Sequence, residues 1–474
     1  MKSGKPLLTN ASLCLLPVLL AASPSFGMSL EPKKPNVLFI TLDDMNDWIG
    51  PMGGHPQART PNLDRLALRS TVFHNAHCQA PICGPSRASF LSGQRPSTTG
   101  IYFLEPALHK ALPDRRDLLG AFRENGYKLL LAGKIYHHKE SVRERREKFD
   151  ATGPLGEYGP VPKEKRNGLA GNPLWDWGAY PENDADMPDV KIVNWAIDQL
   201  SEIDRNPFFL AVGLYRPHVP FMVPAKYFEA FPLEEVRLPA FTTAGHIGSY
   251  AKDLTYGKQA PRHGNILAAA EERKAIQAYL ASIAFMDAQI GRLLDALDAS
   301  PFADNTLVVI TSDQGFHLGE KERWEKRSLW EESTRVPLML AGPGISAGAN
   351  CQRVVELLDL YPTLLDLAGL DADPTLEGRS IKPLLIDAST EWPHPAITTF
   401  GPGNHSVRNE RWRYIRYADG SEELYDHESD STESKNLASD PGFQEIKTKL
   451  AEYLPTQDAP LAPGSAGSDS PLFP

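Results

Sequence analysis

Cysteine is scarce, at 4 in 474 residues, which excludes a small scaffold stapled by disulfides. Positive charge is in deficit: 49 Lys and Arg stand against 60 Asp and Glu, for a formal charge of −11. A field of that sign repels polyanions, so nucleic acid is not an expected partner, and any anionic substrate must be met by a local basic pocket. Long apolar runs are missing as well. Beyond the amino-terminal region no stretch reaches the roughly 18 residues of a membrane span. No repeat of fixed period is present, which excludes solenoids and propellers. What is plentiful is turn chemistry, 41 prolines and 36 glycines, on a chain long enough to bury a large core.

Residues 1–27 read as a secretory signal: Lys2 and Lys5 form a charged start, Leu13 to Ala22 an apolar stretch, and Ser25-Phe26-Gly27 a small-x-small cleavage site. Cys14 lies too early to make a lipoprotein site. Removing that segment deletes two lysines and no acid, taking the formal charge from −11 to −13. The expected mature chain is exported, periplasmic or secreted, with no membrane partner once the signal is cleaved.

Asn36 to Leu42, Phe208 to Leu214 and Thr306 to Thr311 are short, nearly continuous apolar runs, as expected of parallel strands buried on both faces. Tyr127 to Ala132 and Leu338 to Leu340 are weaker examples. Helical patterns lie between them at Asn62 to Leu68, Asp117 to Glu124, Val190 to Ile203 and Glu271 to Leu297. That alternation predicts an α/β fold with a large, mainly parallel sheet, whose ligands collect at the carboxyl ends of its strands. Residues 140–188, polar and rich in Gly and Pro around Trp175-Asp176-Trp177, are expected to form a rim around the cleft, with 241–264 flanking it. From residue 396 the texture changes to short antiparallel strands and a closing helix, Gly442 to Leu454. The predicted organisation is therefore a signal (1–27), a main α/β domain (28–395), a small C-terminal α+β subdomain with an antiparallel sheet (396–456) and a disordered tail (457–474).

Two acidic pairs follow strand ends, Asp43-Asp44 and Asp313-Gln314-Gly315. Three carboxylates and an amide oxygen suit a hard cation such as Ca²⁺ or Mg²⁺ and suit zinc poorly. Taken alone, each pair has a lesser alternative, as turn aspartates that cap a following helix. Between them in sequence lies Cys83-Gly84-Pro85-Ser86-Arg87, with Leu91-Ser92-Gly93 downstream. This stretch resembles the signature of the type I sulfatases, in which that cysteine is oxidised to formylglycine. The chemistry explains the modification. A thiol attacking sulfur would leave a stable adduct, whereas a hydrated aldehyde carries two hydroxyls, one to attack and one to collapse and expel sulfate.

The resemblance extends over nearly the whole chain and is greatest to iduronate-2-sulfatases. It implies an alkaline-phosphatase-like α/β sandwich, one Ca²⁺ (Mg²⁺ as the alternative) held by Asp43, Asp44, Cys83, Asp313 and Gln314, and a formylglycine-generating enzyme as maturation partner. Gln314 departs from the Asn or His usual at its position. In Gly133-Lys134-Ile135-Tyr136-His137 the resemblance picks out Lys134 as a sulfate-binding lysine and His137 as the base that frees sulfate, and in Tyr215-Arg216-Pro217-His218 it picks out His218 as the acid for the leaving sugar oxygen. It identifies Lys326, in Gly319 to Lys326, as a second sulfate lysine. Arg87 joins Lys134, Lys326 and the metal on the transferring oxygens, and Asp313 favours the ionised hydroxyl. His138 is one residue out of register, and Lys321, Arg323 and Arg327 read as a solvated charge run. With Cys83 converted, Cys78 and Cys351 could pair. The implied substrate is a sulfated carbohydrate, with a 2-O-sulfated uronic acid the model case. A phosphomonoester or phosphonate hydrolase of the same fold, and a non-catalytic sulfoglycan-binding relative, are the alternatives.

Overall fold

Alternate residues of the run Asn36–Asp43 enter two different cores, and this alternation sets the architecture. Val37 and Phe39 join one apolar cluster, while Leu38, Ile40 and Leu42 join another. The computed structural model describes residues 1, 2, 4, 34–203, 207–239, 247–257 and 261–473. The expected signal therefore lies almost wholly outside the described residues, as do 240–246 and 258–260 of the second expected rim loop. Among the described residues no helix is long and apolar enough to cross a membrane.

In chain order the strands are β1 (Asn36–Asp43), β2 (Ser70–His77), β3 (Lys128–Gly133), β4 (Ala151–Thr152), β5 (Trp177–Ala179), β6 (Phe208–Pro217), β7 (Phe221–Val223), β8 (Thr306–Ser312), β9 (Arg335–Ala341) and β10 (Ala349–Glu356). Eight of them form one sheet in the order β10-β2-β9-β8-β1-β6-β3-β4, and β5 pairs with β7 apart from it. Among the described strands only β9 runs against its neighbours; every other pairing in the large sheet is parallel. Strands β6 and β8 repeat the two-core alternation of β1: Leu210, Val212, Val308 and Ile310 face one cluster, and Phe209, Ala211, Leu307 and Val309 the other. Helices cover both faces. The longest, Glu272–Asp298, is buried around most of its circumference between Ala275 and Leu297, with every residue from Ala278 to Ile283 inside, as expected of a helix held within the core. The expected α/β sandwich is thus present. Strands β2 and β10, whose polar and small residues hid them in the sequence, extend its edge.

A second sheet is antiparallel: β11 (Ala396–Thr399), β12 (His405–Arg408), β13 (Trp412–Arg416) and β14 (Glu422–Asp426), closed by the helix Gln444–Ala451. Residues 34–474 group as one compact unit, and an ionic network ties this sheet to the loop ahead of β9. From β13, Arg413 donates to Glu433 (2.5 Å), to the Leu329 carbonyl (3.0 Å), to Thr334 (3.0 Å) and to Glu331. Arg408 of β12 reaches Glu331 at 3.2 Å.

The segment expected to be disordered, 457–474, is built into the body over its described part. Its backbone supplies the bonds that its composition could not predict: Ala459 N–H to the Ser97 carbonyl, Ala462 N–H to Gly100, and Glu105 N–H to the Ala466 carbonyl. Phe473 packs on Phe103 with ring centroids 5.2 Å apart. The pairing considered for Cys78 and Cys351 does not form. Both are free and buried, and Cys351 pairs in the sheet with Phe73, whereas Cys78 lies past the far end of β2.

Arg413 is fully buried between two buried carboxylates. Burial alone would raise Glu433, but Arg413 and His427 overcome it and hold the carboxyl at about 2, below its ordinary 4.5. A carboxylate with a depressed folded-state pKa stabilises fully above its unfolded value and loses that contribution as pH falls through the folded one. Acid unfolding should therefore draw on this network between pH 4.5 and about 2. Arg413→Met should cost about 3–5 kcal/mol at neutral pH by stranding the acids, and should flatten that part of the acid profile. Urea melts of both proteins from pH 7 downward check this.

Candidate active site

β8, β1, β6 and β3 are adjacent and parallel, and the residues following their carboxyl ends meet in one place. β1 delivers Asp43 and Asp44, β8 Asp313 and Gln314, β3 Lys134 and His137, and β6 His218. Local backbone makes the convergence possible. Asp44 takes a left-handed conformation, φ 64°, unusual outside glycine but tolerated by Asp, which turns the chain directly after the strand. β3 ends in Gly133, which faces Gly213 in the middle of β6. A Cβ on Gly213 would lie 2.2 Å from the Lys134 carbonyl, so only glycine lets the Lys134 segment lie this close to β6.

Cys83 is the first residue of the helix Cys83–Ser92 and is 2% exposed. The free N–H groups and dipole of that helix end favour negative charge there. Around it three acids meet three bases. Lys134 Nζ donates to Asp43 Oδ2 at 2.5 Å, Lys326 Nζ to the two Asp44 oxygens at 2.6 and 2.9 Å, and Arg87 Nε to Asp313 Oδ2 at 2.7 Å. Burial would raise Asp43, but Lys134, His218 and Arg87 hold it well below the usual carboxylate range. Burial lifts Asp44 to about 7 and Asp313 to about 6 against the pull of Lys326 and Arg87. The Cys83 thiol is pushed up to about 12, again by burial. His218 and His137 are both driven well below their ordinary value, by burial first and then by Lys326 and Lys134 respectively.

Cys83, Asp44, His137, His218 and Lys326 line a cavity of about 130 Å³, with Tyr158 and Trp175 in its wall. At about 30 Å³ per water, that is room for a tetrahedral anion and little more. Tyr158 stacks on His218 at 4.4 Å, and the His218 Nδ1–H donates to the Val219 carbonyl at 2.5 Å, which leaves Nε2 for the cavity. The rim expected from 140–188 is thereby found in Tyr158, Asn172, Leu174 and Trp175. His138 is turned away, bonded to the Leu104 carbonyl at 2.7 Å.

Two expectations change. Arg87 is 1% exposed and absent from the cavity lining. Its guanidinium is committed to Asp313, to Thr41 and to the carbonyls of Lys134, Ile135 and Leu42. It clamps the strand ends together, a positioning role that the sequence did not announce, beside the role expected of it on the transferring oxygens. The charge run is no solvated face either. Lys321, Arg323 and Arg327 are buried; Arg323 donates to the Lys326 carbonyl at 2.5 Å, and Lys321 lies 5.3 Å from the Trp330 ring. Arg327 donates to the Ser468 carbonyl at 2.7 Å, and Asp469 joins the cavity wall. The C-terminal segment thus reaches the site, which no motif in it announced.

The residues present fit a hard cation. Asp43 Oδ1 and Gln314 Oε1 are buried acceptors without a hydrogen-bond partner, and ligand atoms of Asp43, Asp44, Cys83 and His218 lie within 4.8 Å of one another. His218 was not among the expected ligands. Asp313 was, but it stands outside that group: its Oδ1 accepts the N–H groups of Asp44 (3.3 Å) and Gln314 (3.0 Å) while Oδ2 holds Arg87. As thiol, Cys83 would give this group sulfur, which a hard cation does not favour; with an oxygen at position 83 the carboxylates of Asp43 and Asp44 and the Gln314 amide oxygen would make the oxygen-rich set that Ca²⁺ or Mg²⁺ needs, leaving His218 free.

The family model described as Sulfatase matches residues 35–370, and one described as N-sulphoglucosamine sulphohydrolase, C-terminal, matches 319–459. A sulfatase of Formosa agariphila is 39% identical over 94% of this chain and 90% of its own. Human iduronate 2-sulfatase is 31% identical over 72% and 70%, and the choline-sulfatase of Rhizobium meliloti 30% over 86% and 83%. Among solved structures, a phosphonate monoester hydrolase of Agrobacterium radiobacter superposes with a TM-score of 0.72 at 23% identity, covering 88% of this chain and 94% of its own. A 2-O GAG sulfatase superposes at 0.67 and 24%, covering 92% and 98%. Both share the fold.

Cation binding should follow pH. Burial raises Asp44 to about 7 and Asp313 to about 6, so protons there compete with a divalent ion below those values and are absent above them. The rise in Tm on adding Ca²⁺ to chelator-treated protein should be larger at pH 8 than at pH 5.5, and should be lost in Asp43→Asn. A shift equal at both pH values would contradict this.

Proposed function

The chain belongs to the sulfatase family of sulfuric ester hydrolases, and from that premise we propose that it removes sulfate from a carbohydrate, using residue 83 as formylglycine. One observation carries the reading: a cavity the size of one tetrahedral anion, with residue 83 at a helix N-terminus and Lys326, His137 and His218 in its wall.

A thiol raised to about 12 is protonated at neutral pH and a weak nucleophile. Unmodified, Cys83 would leave the cavity inert. As a hydrated aldehyde the same residue supplies one hydroxyl to attack sulfur and a second whose collapse expels sulfate. A calcium ion, or magnesium, held by Asp43, Asp44, Gln314 and residue 83 with Asp313 beside them, would supply Lewis-acid polarisation of a sulfuryl oxygen and favour the ionised hydroxyl. The remaining steps fall to side chains. Lys326, with Lys134 behind Asp43, offsets charge on the transferring oxygens, an effect worth about 3–4 kcal/mol for a well-placed donor. His218, its Nδ1 tied to Val219, exchanges protons at Nε2. Burial and Lys326 disfavour its imidazolium; the negative ester offsets Lys326 and favours the imidazolium, which protonates the leaving oxygen as the S–O bond breaks. His137, whose buried Nδ1 has no hydrogen-bond partner, accepts the proton of the second hydroxyl.

A 2-O-sulfated uronic acid or a related sugar of a sulfated polysaccharide is the substrate that the iduronate 2-sulfatase likeness and the Lys134-x-x-His137 spacing favour. The choline-sulfatase relative marks how far specificity spreads at this identity. A phosphonate or phosphate monoester hydrolase is the competing reading, and it rests on fold. Residues 1–27 support export to the periplasm or medium, and the Cys83 motif supports processing by a formylglycine-generating enzyme.

Co-expression with such an enzyme should yield a peptide carrying an aldehyde at residue 83, seen by hydrazide tagging and mass analysis. Cys83→Ala should abolish turnover and leave Tm nearly unmoved; full activity from protein that is entirely thiol at this position would sink the mechanism. His218→Ala should separate two substrate types. A sugar alkoxide needs its proton in the transition state and a nitrophenolate does not, so kcat on a sulfated disaccharide should fall by about 10²–10⁴ and kcat on nitrocatechol sulfate far less. Equal losses would assign His218 another role.

A further inference from the structure

Beside the small cavity lies a larger one of about 690 Å³, within the roughly 300–1,000 Å³ of ligand sites. The two share a wall. Gly156, Glu157 and Gly159 line the larger cavity, while Tyr158 between them lines the smaller and stacks on His218. Four cations, Lys139, Arg143, Arg146 and Lys191, surround the larger cavity against two acids, Glu157 and Asp186. On a chain of charge −11 this is a local reversal of sign.

Structural duties do not account for the cluster. Lys139 meets Glu157 at 3.2 Å, and Arg143 meets Glu140 at 3.5 Å with both side chains about half exposed, pairs of little energetic weight. Arg146 and Lys191 have no ion pair among the described residues, and both are exposed. Lys191 sits in the first turn of the helix Pro188–Glu202, where the macrodipole disfavours a cation. Its placement works against the helix and adds to the positive potential over the cavity. Among the described residues no aromatic side chain lines this space, so they offer none of the stacking platforms on which nucleic-acid bases are held.

We propose that this cavity is a subsite for the acidic sugars that neighbour the ester being cleaved. Its cations take the carboxylates or sulfates of adjacent units of a polyanionic oligosaccharide, while the reacting sulfate lies past Tyr158 in the smaller cavity. The chemical class of this ligand rests on the carbohydrate-sulfatase reading, but the site itself is testable by binding alone.

The experiment measures affinity of Cys83→Ala protein, which cannot turn substrate over, for heparin and carrageenan hexasaccharides and for a DNA oligonucleotide of matched charge. The same measurements follow on that protein with Arg146→Glu and Lys191→Glu added. Reversing two partly exposed charges should weaken the tighter hexasaccharide by about tenfold or more, and raising the salt should shrink the difference. In active enzyme the double variant should raise KM for the sulfated oligosaccharide while kcat/KM for nitrocatechol sulfate moves less than twofold. Unchanged affinity for both hexasaccharides, or DNA bound as tightly as either, would overturn the subsite. Lost hexasaccharide binding in a protein that hydrolyses no sulfate ester would keep the subsite and remove the proposed reaction.

Discussion

Three buried carboxylates paired with three buried bases, at the carboxyl ends of four adjacent parallel strands, are the constraint on which the rest depends. Each such charge costs several kcal/mol to bring out of water unless its partner is held in good geometry. The fold accordingly spends its most buried polar groups on that geometry. Arg87 fixes Asp313 and, through the Leu42, Lys134 and Ile135 carbonyls, the ends of β1 and β3. Ser86 Oγ donates to the Asp313 carbonyl at 2.5 Å. Lys326 comes from a distant loop, and that loop is itself held by Arg323 from within and by Arg413 from the small sheet. The C-terminal sheet thus has a part in the chemistry without touching the cavity: it fixes the segment that presents Lys326.

The parts of this arrangement legible in the sequence share one property, that local pattern and chemistry coincide. A strand buried on both faces is a continuous apolar run, and a site at its carboxyl end puts the functional residue directly after the run. Asp43 and Asp313 could be located in that way, whereas Lys134 and His218, though they too follow strand ends, are picked out by the family resemblance. Elements stabilised by non-local pairing left no such trace. Strand β2 mixes His74, Asn75 and His77 with apolar residues because it lies near the sheet edge. The reversed direction of β9 depends on partners that its own seven residues do not specify. The segment 457–473 has the composition of a disordered tail and is ordered by backbone hydrogen bonds to loops more than three hundred residues earlier in the chain.

Arg87 and the run from Lys321 to Arg327 show a second limit. A charged residue's type does not reveal whether its donors are free. Arg87 stands inside the Cys83 motif, and only the inventory of its partners shows that most of its donors are taken by the strand ends. Lys321 and Arg323 looked like surface charge because charged runs usually are; here their heads are consumed by backbone carbonyls and aromatic faces. In both cases the residues surrounding the site are as polar as the site itself, so polarity alone could not separate the reacting groups from the groups that hold them.

Charge balance also constrains what can enter. With Asp43, Asp44 and Asp313 already matched by Lys134, Lys326 and Arg87, the cavity has little net positive charge to offer an anion. A sulfate ester must therefore recruit Lys326 away from Asp44, and a divalent cation taking up the freed carboxylates is the simplest compensation. The same reasoning explains why attraction over longer range has to come from elsewhere. A protein of charge −11 with a neutralised reaction centre would hold a polyanionic chain poorly, and exposed Arg146 and Lys191, bound by no acid among the described residues, supply positive charge where the centre cannot. Binding and reaction are then divided between two cavities on either side of Tyr158. The outer one can be basic because it is solvated, and the inner one must be balanced because it is buried.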